Sequence, residues 1–241
     1  MVSGESWESE GRTRRFSNFR IAEHLALIVL FFSLAVTGLC QKFHYLGVSQ
    51  FVIGALGGID SARSLHHMAG VLFTALLLQH AVASFLGVLM FRWKPSMLIA
   101  LRDAQDAVAD VRYYLGIEER PAPQGRFSYK EKFIYWLTFL GGLQMIATGL
   151  TLWFPVDAAR YMPGQFIAAA KDMHSSDAML LFLIVVVWHI YDSVLNPEVF
   201  PLDKSIFTGF QDPRAEGRGE PLTPPAVKKE GAKPVDGMDA L

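Results

Sequence analysis

The chain contains a single cysteine, Cys40, among its 241 residues. An intrachain disulfide is therefore impossible, and there is no cysteine cluster to ligate an iron–sulfur centre. The sequence also lacks the C-x-x-C-H motif that attaches c-type haem, a Walker loop, and a glycine fingerprint for dinucleotides. Any redox cofactor of this chain must therefore be held non-covalently.

Charge is also scarce, since charged residues make up 19% of the chain and hydrophobic residues 51%. This composition is too apolar for an ordinary soluble domain and indicates a membrane protein. A spanning helix needs about 20 apolar residues. Four runs reach that length, namely residues 21–40, 65–91, 133–154 and 175–195. The sequence thus predicts an all-α membrane protein, built as a bundle of four transmembrane helices.

The basic residues that do occur are unevenly placed. Four arginines lie before the first span, the last of them at residue 20. Eight lysines and arginines lie between the second and third spans. The other two connections carry only two each. Because lysine and arginine concentrate on the cytoplasmic side of a membrane, we expect both termini to be cytoplasmic.

Residues 95–116, between the second and third spans, follow a different pattern. Apolar side chains recur there at three- and four-residue steps, with Asp103, Asp106 and Asp110 between them. This pattern predicts an amphipathic helix that is too polar to span. We expect it to lie flat on the cytoplasmic surface, either as a simple cover for the bundle or as a docking ledge for a soluble partner.

The two ends of the chain differ in composition from the bundle. Residues 1–15 are polar and charged, and residues 211–241 are rich in proline, glycine and charge. Such segments bury too little apolar surface to fold. We therefore predict a flexible N-terminus, a membrane domain over residues 16–210 and a disordered C-terminal tail.

Histidines lie in or beside three of the four predicted spans. An imidazole is costly in hydrocarbon, so an intramembrane histidine is a candidate functional residue. His66 and His174 fall near the outer edge, whereas His80 and His189 lie 14 and 15 residues deeper on the same helices. At about 1.5 Å per residue, the two levels are roughly 21–23 Å apart.

Two levels of histidine suit two bis-histidine haems stacked across the roughly 30 Å hydrocarbon core. Zinc is a poorer fit, because it prefers four ligands at one point. The outer pair is His66 with His174. At the inner level His189 has two possible partners, His24 and His80, and spacing slightly favours His80 because it shares a helix face with His66.

Several stretches, in this order and topology, resemble one family. It comprises the four-helix dihaem cytochrome b subunits of membrane-bound formate dehydrogenases and of nickel–iron hydrogenases. The resemblance covers about residues 19–210. Four stretches carry the resemblance, one for each span. The first two are residues 20–24 with Thr37-Gly38, and residues 63–70. The third consists of residues 132–136, Thr148-Gly149 and residues 153–155, and the fourth is residues 174–191, which include Trp188-His189.

The resemblance implies a ligand set for two b haems. His24 and His189 would hold the iron of the cytoplasmic-side haem, and His66 and His174 that of the outer haem. The resemblance therefore selects His24 over His80. His80 then remains an alternative inner ligand, part of a quinone site, a proton relay or a packed neutral side chain. The implied location is the bacterial cytoplasmic membrane.

The family also implies a quinone site beside the inner haem, formed partly by polar residues just before the third helix. Asn and Gln are typical there, whereas this chain has Ser128, Tyr129 and Glu131. The substrate would be menaquinone or ubiquinone, and Glu131 is a candidate for passing protons to it.

The function that follows is that of a membrane-anchor cytochrome b. It would pass electrons between a partner redox subunit, iron–sulfur or other, and the membrane quinone pool. We expect no catalytic residues beyond a quinone-reactive site, contact with membrane lipid and no nucleic-acid partner. One alternative is a stand-alone quinol-dependent membrane oxidoreductase. Another is a histidine-lined transporter for metal ions or protons, which the scarcity of other polar groups in the spans disfavours.

Overall fold

The computed structural model describes residues 16–92, 95–122, 127–195 and 200–210. Within these ranges the regular elements are helices, and there is no β-sheet. The predictions made for residues 1–15 and 211–241 concern parts of the chain outside the described residues. The helices are α1 (Asn18–Lys42), α2 (Gly47–Ala55), α3 (Ile59–Phe91), α4 (Leu101–Tyr114), α5 (Tyr129–Trp153), α6 (Pro155–Ala158), α7 (Gly164–Ile184) and α8 (Ser205–Thr208).

Four of these helices are long and apolar enough to cross a membrane, which confirms the predicted fold class. They are α1, α3, α5 and α7, the last of which continues to Leu195 through two π-helical turns, Val185–His189 and Tyr191–Leu195. Each contains one of the predicted apolar runs. The sequence therefore indicated the spans from hydropathy alone.

Two of the helices extend further than predicted, and one connection is itself helical. α3 begins at Ile59 rather than at residue 65, and α7 begins at Gly164 rather than at residue 175. The predicted outer loop at residues 41–64 contains α2. A helix can continue beyond the hydrocarbon because its backbone hydrogen bonds are internal, whereas hydropathy registers only the apolar part.

The spans run alternately up and down. α1 packs mainly against α3, α5 packs mainly against α7, and the α1–α7 and α3–α5 contacts close the bundle. We call the end with the start of α1 and the end of the fourth span the termini end, and the opposite end, with α2 and α6, the hairpin end. At the termini end the backbone N–H of Phe16 donates to the carbonyl of Gly209, over 3.1 Å.

The packing is that of a protein whose solvent is lipid. Large apolar side chains point outward, and Val29 and Phe85 are each 66% exposed. The buried positions between helices are mostly small, and they include Ala62, Ala69 and Ala170. Small residues let helices approach closely where no hydrophobic driving force between them exists.

The first turns of α1 and α5 have side-chain caps. The Ser17 hydroxyl accepts from the N–H of Arg20, over 3.3 Å. Ser128 and Glu131 form a reciprocal capping box, with the Ser128 N–H donating to the Glu131 carboxylate over 2.9 Å and the Glu131 N–H donating to the Ser128 hydroxyl over 3.2 Å. Such caps satisfy amides that a helix start otherwise leaves unpaired.

The amphipathic segment forms α4, a helix of 14 residues, shorter than the predicted range. Its acidic side faces the bundle. The buried Asp110 carboxylate accepts from the Tyr129 hydroxyl over 3.0 Å and from the N–H of Ala122 over 2.9 Å. The Lys132 ammonium donates to Asp103 over 2.8 Å. α4 is thus attached to the start of α5 through its carboxylates.

This attachment affects the ionisation of Asp103 and the direction of the apolar side of α4. Burial by itself raises the pKa of Asp103, but hydrogen bonds from the Ala100 amide and the Lys132 ammonium outweigh it, so the pKa lies below its ordinary value. The apolar side chains of Leu101 and Val108 are 78% and 59% exposed. They are free to enter a lipid surface.

Candidate functional site

Four intramembrane histidines form two facing pairs. The ring centroids of His66 and His174 are 6.2 Å apart, with 77° between the ring planes. His24 and His189 are also 6.2 Å apart, with 70° between their planes. An imidazole nitrogen lies about 2 Å from a metal ion that it ligates, so two rings on opposite sides of one ion have centroids roughly 6 Å apart. Both pairs have that separation.

In the hairpin-end pair, each imidazole is oriented by a threonine on the neighbouring helix. The Thr37 hydroxyl donates its only proton to the carbonyl of Ser33, over 2.7 Å, so its oxygen must accept from His66 Nδ1, over 2.9 Å. A neutral imidazole with a protonated Nδ1 has its lone pair on Nε2. The hydroxyl therefore leaves His66 Nε2 available as a metal ligand.

The same arrangement holds the partner ring. The Thr148 hydroxyl donates to the carbonyl of Gln144 over 2.7 Å and accepts from His174 Nδ1 over 2.9 Å. Thr37 and Thr148 are 2% and 7% exposed, so water does not compete for these bonds. Metal-ligating histidines typically donate their second ring N–H in this way.

Glycine follows each of these threonines and lies against the same ring. A Cβ added at Gly38 would lie 3.3 Å from His66 Cε1, and one added at Gly149 would lie 3.3 Å from His174 Cε1. That distance is shorter than ordinary van der Waals contact. Each imidazole therefore occupies space that only glycine leaves open.

The termini-end pair has different surroundings. His24 Nδ1 is buried, and no described residue forms a hydrogen bond with it. His189 lies in a π-helical turn, a distortion that is frequent at functional sites. Asp192 and Glu131 interact electrostatically with His189. This pair therefore has acidic neighbours, and among the described hydrogen bonds none joins either of its imidazoles to a threonine.

The described residues contain no group of three or more His, Cys, Asp or Glu side chains arranged for one metal ion. The two-histidine pairs suit a metal whose other ligands come from a macrocycle, and they do not suit tetrahedral zinc. A buried, otherwise unpaired His24 nitrogen and the glycine clearances also fit a bulky, non-covalently held cofactor.

His80 faces a polar cluster and is not opposite His189. Its Nδ1 is 2.8 Å from Arg20 Nη1, and its Nε2 is 3.0 Å from the Tyr135 hydroxyl. Arginine only donates, so Nδ1 accepts and Nε2 carries the proton that goes to Tyr135. Glu23 Oε1 lies farther from His80 Nδ1, at 3.4 Å. The rest of the cluster is Glu23, Gln79 and Ser84.

The three residues predicted for a quinone site lie together at the start of α5. Ser128 and Glu131 form the capping box, and the Tyr129 hydroxyl donates to Asp110. Their described hydrogen bonds thus begin α5 and attach α4. Glu131 is also the member of this group that interacts electrostatically with His189.

Sequence reasoning missed the supporting residues of both sites. Thr37–Gly38 and Thr148–Gly149 entered only as matching stretches, although the repeated Thr-Gly dipeptide, each 26 to 29 residues before a histidine, was a usable signal. The cluster around His80 had no comparable signal. Tyr135 and Arg20 come from different helices, 55 and 60 residues away from it.

Comparison with known proteins decides the family. Residues 81–209, more than half of the chain, match the family described as prokaryotic cytochrome b561. The chain belongs to this family. The matched range includes His174, His189 and Tyr135, whereas His24 and His66 precede it.

This member of the prokaryotic cytochrome b561 family is also similar to cytochrome subunits of formate dehydrogenases. It is 25% identical over 175 residues to the formate dehydrogenase cytochrome b556 subunit of Haemophilus influenzae, covering 70% of this chain and 65% of that protein. It is 22% identical over 169 residues to the nitrate-inducible formate dehydrogenase cytochrome b556(Fdn) subunit of Escherichia coli K12, covering 70% and 71%. The chain thus spans just under two thirds of the first relative.

Membership of the cytochrome b561 family has direct consequences for this chain. It is a membrane cytochrome b that acts in electron transfer, and the family implies haem b as its cofactor. The four spanning helices make it a multi-pass bacterial membrane protein.

Proposed function

We propose that this cytochrome b holds two b haems and passes electrons between a partner redox subunit and the membrane quinone pool. The observation that carries the proposal is the presence of two histidine pairs with the same 6.2 Å ring separation, one toward each end of the bundle. His66 and His174 would hold the hairpin-end haem, and His24 and His189 the termini-end haem. Each haem iron supplies one-electron chemistry when bound.

The spacing of the pairs suits transfer across a membrane. His174 and His189 are 15 residues apart on the fourth span, which corresponds to about 22 Å of helix. That length covers most of a roughly 30 Å hydrocarbon core. The protein contributes ligands, orientation and electrostatics, and it contributes no reactive group of its own to this step.

A quinone site at the termini end is the second part of the proposal. His80 Nε2 donates to the Tyr135 oxygen, so the Tyr135 O–H proton remains available to a quinone carbonyl oxygen. Arg20 holds His80 in that tautomer. Reduction of one quinone to quinol takes two electrons and two protons, and menaquinone and ubiquinone both present the two carbonyl oxygens required.

The residues at the start of α5 form the approach to this site. Glu131 interacts electrostatically with His189 and is a candidate for delivering protons from the aqueous side. Ser128 and Tyr129 fix the position of Glu131 and of α4 through the capping box and the bond to Asp110. We therefore assign them a supporting place in the quinone site.

The partner and the orientation complete the proposal. The sequence has one cysteine and cannot supply an iron–sulfur centre, so electrons must come from another subunit, iron–sulfur or other. The formate dehydrogenase relatives are subunits by name. We place this partner at the hairpin end, outside the cytoplasm, and both termini on the cytoplasmic side, in agreement with the distribution of basic residues.

Haem quantitation and a reduced-minus-oxidised spectrum of the chain purified in detergent test the proposal. We expect two low-spin b haems per wild-type chain, and one in His24→Ala. His80→Ala should retain both. His67→Ala is the matched control, because His67 adjoins His66 but stacks on Trp153 with a centroid separation of 4.3 Å. Loss of a haem from His80→Ala would overturn the inner ligand, and a colourless wild type would overturn the proposal.

A further inference from the structure

Two matched threonine–glycine pairs support the hairpin-end histidines. We propose that Thr37–Gly38 and Thr148–Gly149 are positioning residues. They would hold both axial imidazoles of the hairpin-end haem as Nδ1–H tautomers and set its midpoint potential below that of the termini-end haem. The inference rests on the proposed function, because it takes His66 and His174 as ligands of one haem.

The two pairs agree in their hydrogen-bond and Cβ distances. Each threonine oxygen is 2.9 Å from the imidazole Nδ1, and each hydroxyl donates to the carbonyl four residues earlier over 2.7 Å. Each glycine would place a Cβ 3.3 Å from Cε1 and 3.8 Å from Nδ1 of the same ring. α1 thus supports a histidine of α3 as α5 supports a histidine of α7. The two halves of the bundle contribute equivalent ligands.

The acceptor of each threonine hydroxyl proton determines whether the midpoint potential is raised or lowered. A threonine has one proton to donate, and both of these hydroxyls donate to a backbone carbonyl. Their oxygens can only accept from Nδ1–H. Hydrogen bonding of that N–H raises the basicity of the ligating nitrogen. A more basic ligand favours ferric over ferrous iron, so two such bonds lower the midpoint potential.

The termini-end pair provides the internal contrast. His24 Nδ1 is buried without a hydrogen-bond partner among the described residues. When His24 binds the iron through Nε2, its Nδ1–H has no hydrogen-bond acceptor among the described residues. Its Nε2 is then less basic than that of His66 or His174, and it donates less electron density to the iron. Asp192 and Glu131 beside His189 favour ferric iron and act in the opposite direction. We expect the two threonine hydrogen bonds to outweigh these charges, so that the potential rises from the hairpin end to the termini end. Electrons supplied by a partner at the hairpin end would move downhill toward the quinone.

The two glycines have a separate role, because they leave the space that the imidazole rings occupy. Because a Cβ at Gly38 would press on Cε1 of His66, alanine there must turn or displace the ring. Gly70 is the matched control in the same bundle, since its added Cβ would meet only Leu34 Cδ2, at 4.0 Å. Gly38→Ala should change the low-spin electron paramagnetic resonance signal of the hairpin-end haem, and Gly70→Ala should not.

A spectroelectrochemical redox titration of the full chain in detergent tests the potentials. His66→Ala and His24→Ala, each expected to retain one haem, assign the two potentials. Thr37→Val and Thr148→Val should each raise the hairpin-end potential, and the double variant should raise it further. A tenfold change in the reduction equilibrium, the size we expect for the double variant, is about 59 mV for one electron.

Thr74→Val is the control for loss of a half-buried threonine hydroxyl. Thr74 makes the same bond to the carbonyl four residues earlier, over 2.7 Å, and none of its described hydrogen bonds goes to a histidine. Its variant should leave both potentials unchanged. Thr37→Ser keeps a hydroxyl and should restore the wild-type potential. If Thr37→Val loses the haem, retention by Thr37→Ser and Thr74→Val would still support positioning through the hydroxyl.

Three results would overturn the inference while leaving the proposed function intact. They are two haems with unchanged potentials in the double variant, a wild-type hairpin-end potential above that of the termini end, and equal effects of Thr37→Val and Thr74→Val. A wild-type chain without two b haems would instead defeat the proposed function. The haem count and the titration therefore separate the two failures.

Discussion

The two histidine pairs have the same ring separation but opposite kinds of surroundings. At the hairpin end, two buried threonines and two close glycines hold the rings. At the termini end, the pair lies near acidic groups, a π-helical turn and the Arg20–His80–Tyr135 cluster. The ligand spacing is therefore common to both sites, whereas the residues around the ligands differ. In the proposed function, the hairpin end would serve electron transfer alone and the termini end would also handle protons.

The largest expected effect comes from removing one ligand of each pair on the same helix. The double variant His174→Ala/His189→Ala should bind no haem, because each remaining ring would lack its opposite ligand. Each single variant should retain one haem. Haem quantitation by absorbance measures the result, with His67→Ala as the control. A double variant that keeps both haems would contradict the assignment of one histidine pair to each haem.

Crowding the hairpin-end site should have the next largest effect. Gly149→Ala puts a methyl group 3.3 Å from His174 Cε1, and the ring has little room to move between α5 and α7. We expect partial loss of one haem and a lower midpoint of thermal unfolding, because overpacking typically costs about 1–3 kcal/mol of stability. Differential spectra and a thermal melt measure both, with Gly70→Ala as the control. Equal haem content in the two variants would argue against a tight site.

The termini end can be tested without touching a ligand. Tyr135→Phe removes the O–H that we assign to the quinone and leaves His80 Nε2 without its acceptor. Quinone reduction by the chemically reduced cytochrome should slow about tenfold, the cost of one buried hydrogen bond of roughly 1.4 kcal/mol. Both haems should remain. Stopped-flow absorbance follows the reaction, and Tyr161→Phe, at an 88% exposed residue, is the control. An unchanged rate would move the quinone away from Tyr135.

The smallest effect concerns α4. Because the pKa of Asp103 is lowered in the folded chain, its bonds stabilise α4 above the unfolded pKa and lose that contribution as the pH falls through the folded value. Lys132→Met should remove much of this dependence and raise limited proteolysis between α4 and α5 at neutral pH. Gel densitometry after protease treatment measures it. Arg160→Met, in an exposed ion pair, should have no effect on the cleavage rate.

How far the sequence predicts this molecule depends on the range of the interaction. The four spans follow from hydropathy, a property of consecutive residues. The choice between His24 and His80 depends on helix rotation, and regular α-helical spacing slightly favoured His80. The structure places His24 beside His189, which lies in a π-helical turn of the fourth span. His80, on the regular helix α3, meets Arg20 and Tyr135 instead. The packing between helices decides which residue His80 faces, and spacing along one helix does not give that packing.

The supporting contacts were less accessible still. Thr37 and His66 are 29 residues apart and meet only because α1 packs on α3. The capping box at Ser128 was readable from the sequence in principle, since Glu131 follows three residues later. The family resemblance assigns Ser128 and Glu131 to a quinone site, whereas their hydrogen bonds in the structure begin α5.

The contact between Phe16 and Gly209 makes the described chain nearly a closed ring. The two backbone positions are joined by a 3.1 Å hydrogen bond at the termini end. Proteins with adjacent ends tolerate circular permutation. A short linker could therefore join the ends of a trimmed chain, and new ends could be opened between α5 and α7, on the opposite side of the membrane. A fusion tag on such a permuted cytochrome would lie at the hairpin end, where the native chain has no terminus. The tag would there block a partner that binds at that face.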